Sequence, residues 1–191
     1  MARAGRRPGD NDTRGEVLAA ARATFAERGY HGATIRAIAA TADVDPALVH
    51  HYFGTKEDLF AAAVRLPMPP AAFAERIIGP GVDGAGERLA AAFFEVWEDP
   101  TTRDGLLTML RGAFATDRGA AVLRDFFGTV MVRRLAGELD GEGAELRMTL
   151  AASHLIGIAV LRYVVRFPDL EAASVDDLVA LVGPRLQAYL G

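Results

Sequence analysis

The sequence predicts an all-α protein, and three observations carry that prediction. Apolar residues recur at helical spacing along most of the 191 positions. No run alternates apolar and polar residues convincingly enough for a strand. Hydroxyl caps with an acidic residue three positions on stand at Thr13/Glu16, Thr55/Asp58 and Ser174/Asp177. With 51% apolar residues the chain can bury a real core. It has no cysteine, which excludes disulfides, thiolate metal sites and a cysteine nucleophile.

The first helix is predicted from the Thr13 cap. Val17, Leu18, Ala21 and Phe25 share one face, and Gly29 ends it. Thr34 then caps a second helix, with Ile35, Ile38 and Ala39 on one side. The pattern breaks at Ala42-Asp43-Val44, a three-residue turn. Asp45 followed by Pro46 starts a third helix, because a carboxylate cap precedes a proline whose missing N–H costs nothing there. Leu48 and Val49 anchor it inward. Asp45, Pro46, Ala47, His50 and His51 fall on or near its free face, and Gly54 stops it.

Thr55 opens a fourth helix reaching about residue 66, where Pro67, Pro69 and Pro70 interrupt it. A short helix over about 71–78 and a flexible loop over 79–86 follow. Further helices are expected near 87–98, 102–115, 120–139, 144–167 and 175–190. Pro168 closes the long one, and Pro184 should kink the last or end it early. The last two are apolar on nearly every face, which means burial in a core or in a subunit interface.

Two short helices, a three-residue turn and a capped successor are the layout of a helix-turn-helix, whose second helix enters the major groove of DNA. Phe25, Gly29 and Tyr30 within TFAERGYHGATIRAIA (24–39), Val44 in the turn, and HHYFGTKEDLF (50–60) resemble the TetR family of bacterial one-component transcriptional regulators. The likeness is close over about the first 60 residues. Beyond them it rests on length and helical content. It implies a helix-turn-helix domain over 1–54 and a larger helical ligand-binding and dimerisation domain over 55–191. It also implies a homodimer paired through the helices near 144–167 and 175–190, a palindromic double-stranded operator, and release by a small apolar effector. The family expectation is a cytoplasmic repressor that is not an enzyme. A helical protein-interaction module or enzyme without DNA binding is the competing class, but no convergent set of polar groups supports it.

Net charge is −4, yet residues 1–60 carry eight basic and eight acidic side chains, so the deficit lies in the rest. Arg3, Arg6, Arg7 and Arg14 cluster at the amino terminus, either on an arm that touches DNA or on a solvated tail. No apolar stretch follows Arg6-Arg7, so they do not read as an export signal. The longest uninterrupted apolar run, 155–161, is too short to span a bilayer.

The DNA-facing candidates are Thr34, Arg36, Asp45, Pro46, Ala47, His50, His51, Tyr52, Thr55 and Lys56. Arg36 can reach a guanine edge or a phosphate, and Pro46 and Ala47 offer only apolar contact to a thymine methyl. Lys56 and the backbone N–H groups at Thr34 and Thr55 are phosphate candidates. His50, His51 and Tyr52 stand where relatives arrange their aromatic residues and histidine differently, so base preference does not carry over. Candidate effector-lining residues are Phe93, Phe94, Trp97, Met109, Phe126, Phe127, Met131, His154 and Tyr163. His154 reads either as a satisfied core histidine or as a ligand contact. No cofactor is expected. Adjacent His50 and His51 cannot easily share a metal, and the G-x-G-x-x-G match at 79–84 has no strand before it and reads as a plain loop.

Overall fold

A computed structural model describes residues 10–191, and among these there is no strand. Four helices form a small head: α1 (Asp10–Gly32), α2 (Ile35–Thr41), α3 (Pro46–Phe53) and α4 (Lys56–Ala63). The body follows with α5 (Pro70–Ile78), α6 (Ala85–Glu98), α7 (Pro100–Ala115), α8 (Asp117–Phe126), α9 (Arg133–Ala136), α10 (Ala144–Ala159), α11 (Pro168–Ala172) and α12 (Val175–Leu190). Arg3, Arg6 and Arg7 lie outside the described residues.

The head closes on Val17, Ala21, Phe25, Tyr30, Ile38, Val49, Phe53, Leu59 and Phe60. Phe126, from α8, belongs to the same core. Its ring stacks on Phe60 with centroids 4.3 Å apart, and Phe25 meets Phe60 edge-on at 4.7 Å. The body has its own core around Phe73, Ile77, Leu89, Phe94, Leu135, Met148, Leu155 and Leu186. A smaller cluster joins Trp97, Leu106, Leu110 and Ala159.

Several boundaries differ from the sequence reading. The first helix starts at Asp10, so Thr13 lies inside it; the break at Gly29 is present, with φ 72°. The fourth helix stops at Ala63 rather than near 66. Arg65 takes the left-handed conformation (φ 62°), and the Leu66 N–H returns to the Ala61 carbonyl at 2.8 Å, which closes the helix before the prolines arrive. The helix expected over 120–139 begins at Asp117, capped by Thr116, and is interrupted by a π-helical stretch, Phe127–Val132. A second π-helical stretch, Val160–Val165, continues α10. Pro168 does more than close that helix, since it opens α11. The 79–84 glycines lie in the loop between α5 and α6, as expected.

Pro184 neither ends nor breaks α12, which runs from Val175 to Leu190. Both Pro184 and Ala180, whose carbonyl it cannot bond, sit on the exposed side of the helix. The opposite side is clamped to α6. A Cβ on Gly86 would strike the Gly183 carbonyl and the Gln187 amide of α12, and one on Gly183 would lie 3.0 Å from the Glu87 Cα. At this close approach the Gly86 N–H, in the first turn of α6, donates to Gln187 Oε1 at 3.0 Å. Gln187 Nε2 in turn donates to the Val82 carbonyl at 3.1 Å. A side chain on α12 thereby caps α6.

Because backbone meets backbone here, Gly86→Ala should destabilise the protein by about 1–3 kcal/mol, the usual cost of overpacking. Urea unfolding checks it; unchanged stability would show that the two helices can part without loss.

Candidate nucleic-acid interface and effector cavities

The helix-turn-helix is assembled by local bonds. Thr34 Oγ1 accepts the Ala37 N–H at 3.1 Å, which caps α2. The turn after α2 is closed by the Val44 N–H reaching back to the Ala39 carbonyl at 3.0 Å. That geometry needs a left-handed residue at 43, and Asp43 supplies it with φ 53°; Asp tolerates this conformation better than most side chains. Asp45 Oδ1 accepts the Ala47 N–H at 2.7 Å, and Pro46 opens α3. Val49 and Phe53 are the buried anchors of α3, while Leu48 is only half-buried.

This leaves Thr34, Arg36, Asp45, Ala47, His50 and His51 exposed on one presented element, with Pro46 and Tyr52 half-buried beside them. His50 is already oriented: its Nδ1 lies 2.8 Å from the Gly54 carbonyl, where a protonated Nδ1 donates. Nε2 is then the ring nitrogen turned to other partners. The His51 ring lies against Tyr52, with centroids 5.6 Å apart. Arg14 places its guanidinium over the Phe53 ring at 4.9 Å, so this part of the amino-terminal basic cluster reaches the end of α3.

The two positions that open α4 are more committed than the sequence suggested. The Thr55 N–H and hydroxyl both donate to Asp58 Oδ2, at 3.3 and 2.7 Å, while Thr55 Oγ1 accepts the Asp58 N–H. The capping box thus uses the amide expected to serve a phosphate. Lys56 is half-buried, with its ammonium 4.4 Å above the Tyr30 ring, and burial holds it below the usual lysine range. Tyr30 donates its hydroxyl to Glu57 at 2.8 Å; burial first, then Glu57, pushes its phenol far up.

Five of the nine expected effector-lining residues border one cavity, and the other four lie elsewhere. Phe93, Trp97, Phe126, Phe127 and Met131 line an apolar cavity of about 50 Å³. Phe93, Phe127 and Met131 also border a second, of about 60 Å³. Both are far below the 300–1,000 Å³ of a drug-sized site. Met109 instead lines a groove of about 500 Å³ between head and body, with Arg22, Phe25, Phe60 and Asp104. Tyr163 borders a polar groove of about 490 Å³. Phe94 is wholly buried core. His154 lines none of these cavities. It is half-buried on α10, the helix that leaves Leu146, Leu150 and, further along its continuation, Leu161 and Val164 exposed. On α12, Leu181 is 71% exposed.

Residues 17–63 match the family described as bacterial regulatory proteins, tetR family. Residues 83–190, more than half of the chain, match the tetracyclin repressor-like, C-terminal domain. The chain belongs to the TetR family. A solved TetR-family regulator from Streptomyces coelicolor A3 is 40% identical, with 97% of this chain and 98% of that one covered and a TM-score of 0.56. The HTH-type transcriptional repressor AcnR of Corynebacterium glutamicum is 44% identical over 59 residues, 30% of this chain and 31% of that protein. The HTH-type transcriptional regulator BetI of Rhizobium meliloti is 32% identical over 104 residues, 54% of this chain and 43% of that protein. The chain therefore matches less than half the length of these two curated relatives.

In this TetR-family chain the polar hub missed by sequence reading is Glu98-Arg162-Tyr163. Arg162, only 9% exposed, donates to Glu98 Oε1 through Nε at 3.2 Å and Nη2 at 2.8 Å, and the Tyr163 hydroxyl donates to the same oxygen at 3.0 Å. Burial works against the Glu98 charge, but the Arg162 and Tyr163 bonds outweigh it and hold the carboxyl below its usual range. Burial, then Glu98, pushes the Tyr163 phenol up to about 12. No local pattern announces such a hub, because Glu98 lies more than 60 residues before Arg162 and Tyr163 in the chain.

The sign of the pH dependence follows from these shifts. A raised phenol pKa stabilises the fold fully below the unfolded value of about 10 and ceases to do so as pH rises through about 12. The lowered Glu98 carboxyl contributes above its unfolded value and is lost in acid. In an alkaline titration followed by phenolate absorbance, Tyr30 and Tyr163 should ionise late, and Tyr163→Phe should remove one late-ionising group. If all four tyrosines ionise near pH 10 while the helices persist, the hub is not formed as described.

Proposed function

We propose that this protein is a ligand-released repressor that binds a near-palindromic operator as a homodimer in the cytoplasm. The observation that carries the reading is the α3 face. It is capped, anchored by Val49 and Phe53, and presents Ala47, His50 and His51 beside Arg36 with no protein covering them. A short helix that spends its apolar side on the head core and its polar side on solvent is built to be read by a groove. Arg36 is the side chain expected to reach a base edge or phosphate, with Thr34 and Arg14 as neighbouring backbone contacts. The functional division remains a DNA-binding unit over 1–54 and a sensing and dimerisation unit over 55–191, with α4 packed into the first and leading to the second.

The dimer is inferred from α10 and α12. The helix Ala144–Val165 is, by length and composition alone, apolar enough to cross a membrane, yet only 28% of its most apolar window is buried in the protomer. Its inner side packs through Met148, Ala151 and Leu155 into the body core. Its outer side, with Leu146, Leu150, His154 and Leu161, joins Leu181 of α12 as an apolar surface that suits a second copy. Two α3 helices related by the dimer axis then read half-sites about 34–36 Å apart, or a multiple of that.

Release is inferred from the small cavities. Phe73, Phe93, Phe127 and Met131 border both, so an apolar effector that displaces side chains of this shared wall opens a single larger site. Met131 lies on the π-helical stretch that begins directly after Phe126, whose ring sits in the head core. An effector that prefers a shifted stretch therefore also shifts the head.

Selection of genomic fragments by the purified protein at about 0.15 M salt tests the reading. One enriched near-palindrome is expected. Arg36→Ala should weaken its binding about tenfold or more, and Leu181→Asp should yield monomers by light scattering and lose the operator. No enrichment, even after refolding free of ligand, would refute DNA recognition. A dimeric Leu181→Asp protein would place the interface elsewhere.

A further inference from the structure

The polar groove beside Tyr163 has no part in the reading above. It lies between α7, the Val160–Val165 stretch and α11, with a volume of about 490 Å³. We propose that it is a binding site for a dianionic small molecule whose two acidic groups are joined by a short apolar spacer.

The floor of the groove is rigid and internally neutralised. Arg162 is held by Glu98 and by the Leu170 and Ala173 carbonyls, the latter at 3.0 Å. Tyr163 stacks on Trp97, with centroids 5.0 Å apart, and spends its hydroxyl on Glu98. At the mouth Arg166 pairs with Glu171. Both carboxylates of the groove are thus already engaged by donors.

The wall formed by α7 is different. Arg103 and Arg111 stand eight residues apart, about 80° apart around the helix and about 12 Å along its axis, and both line the groove. Among the described residues neither makes an ion pair within 4 Å, although Arg103 stands near enough to Glu98 and Asp99 to favour their charged forms. Leu107 lies between them and also lines the groove. The groove therefore carries four guanidinium groups against two carboxylates, in a chain whose net charge is −4. A concavity with surplus arginines concentrates anions, and each guanidinium can grip a carboxylate or phosphate in a bidentate fashion. The order cation, apolar residue, cation along the groove matches acid, spacer, acid in a ligand. A ligand with a spacer of a few methylenes would draw the two flexible arginine side chains towards each other to grip both its acids. Arg111 and Arg166 are exposed, so the groove is open to solvent.

Calorimetric titration of the full chain at constant ionic strength tests the site, independently of any DNA. The probes are adipate, with two acids and a four-carbon spacer, hexanoate, with one acid, and inorganic pyrophosphate, with two acids and no spacer. Adipate should bind saturably, once per protomer, and at least tenfold more tightly than either other probe. The Arg103→Gln/Arg111→Gln double variant should lose that binding while its circular dichroism stays native. Arg65→Gln, in the groove between head and body, should retain it. Failure of adipate to saturate, hexanoate binding as tightly as adipate, or full retention in the double variant would each overturn the proposal. Tighter binding of pyrophosphate would overturn the apolar spacer.

Discussion

Head and body meet where α1 packs along α8, and an aromatic contact lies at the centre of that junction. Phe126 belongs in sequence to the body, at the end of α8, yet its ring is buried in the head against Phe60 and near Tyr30. The helix-turn-helix alone offers a small core, too little for firm independence. By lending it a fully buried phenyl ring, α8 enlarges that core and fixes the direction in which α3 is presented. Removing a buried phenylalanine of this kind typically costs about 3–5 kcal/mol, a large share of any domain's stability. The residues just after it, on a π-helical stretch, border the small cavities of the body. One continuous segment therefore touches both the small cavities of the body and the core of the head. π-helical stretches pack with a register that differs from an α-helix and recur at functional sites.

The rest of the body supports this arrangement by staying fixed. α12 is locked onto α6 through the facing glycines and Gln187, so the outer faces of α10 and α12 are held as a stable platform. The Arg162 hub does the same at the far end of α10, tying it to α6 and to the turn around α11. The less regular parts of the chain here are the strap from Val64 to Pro69 and the π-helical stretch after Phe126. A strained left-handed Arg65 begins that strap.

What was legible in the sequence was what local chemistry dictates. Thr34, Asp45-Pro46, Gly54 and Thr55-Asp58 all act within four residues of themselves, and the structure shows each in its expected capping or stopping role. The order and extent of most helices follow from apolar spacing for the same reason. Features that depend on distant partners were not legible. Gly86 read as loop because its need for glycine arises from α12, a hundred residues on. Pro184 read as a breaker because nothing nearby says that its outer side faces solvent. The aromatic and Met candidates read as one pocket, but aromatic identity does not say which helix face a side chain occupies. Met109 and Tyr163 border different grooves, and His154 faces an outer surface.

With its ring in the head core, Phe126 should make head and body unfold together. The chain's single tryptophan, Trp97, lies in the body and reports that part alone, whereas circular dichroism reports every helix. Urea unfolding of the native protein and of Phe126→Ala, followed by both signals, is the most direct measurement. The account predicts coincident transitions for the native protein. In Phe126→Ala an early loss of helix should precede the tryptophan transition, as the head releases first. Coincident curves in the variant would show instead that the remaining contacts between α1 and α8 suffice to couple the two parts.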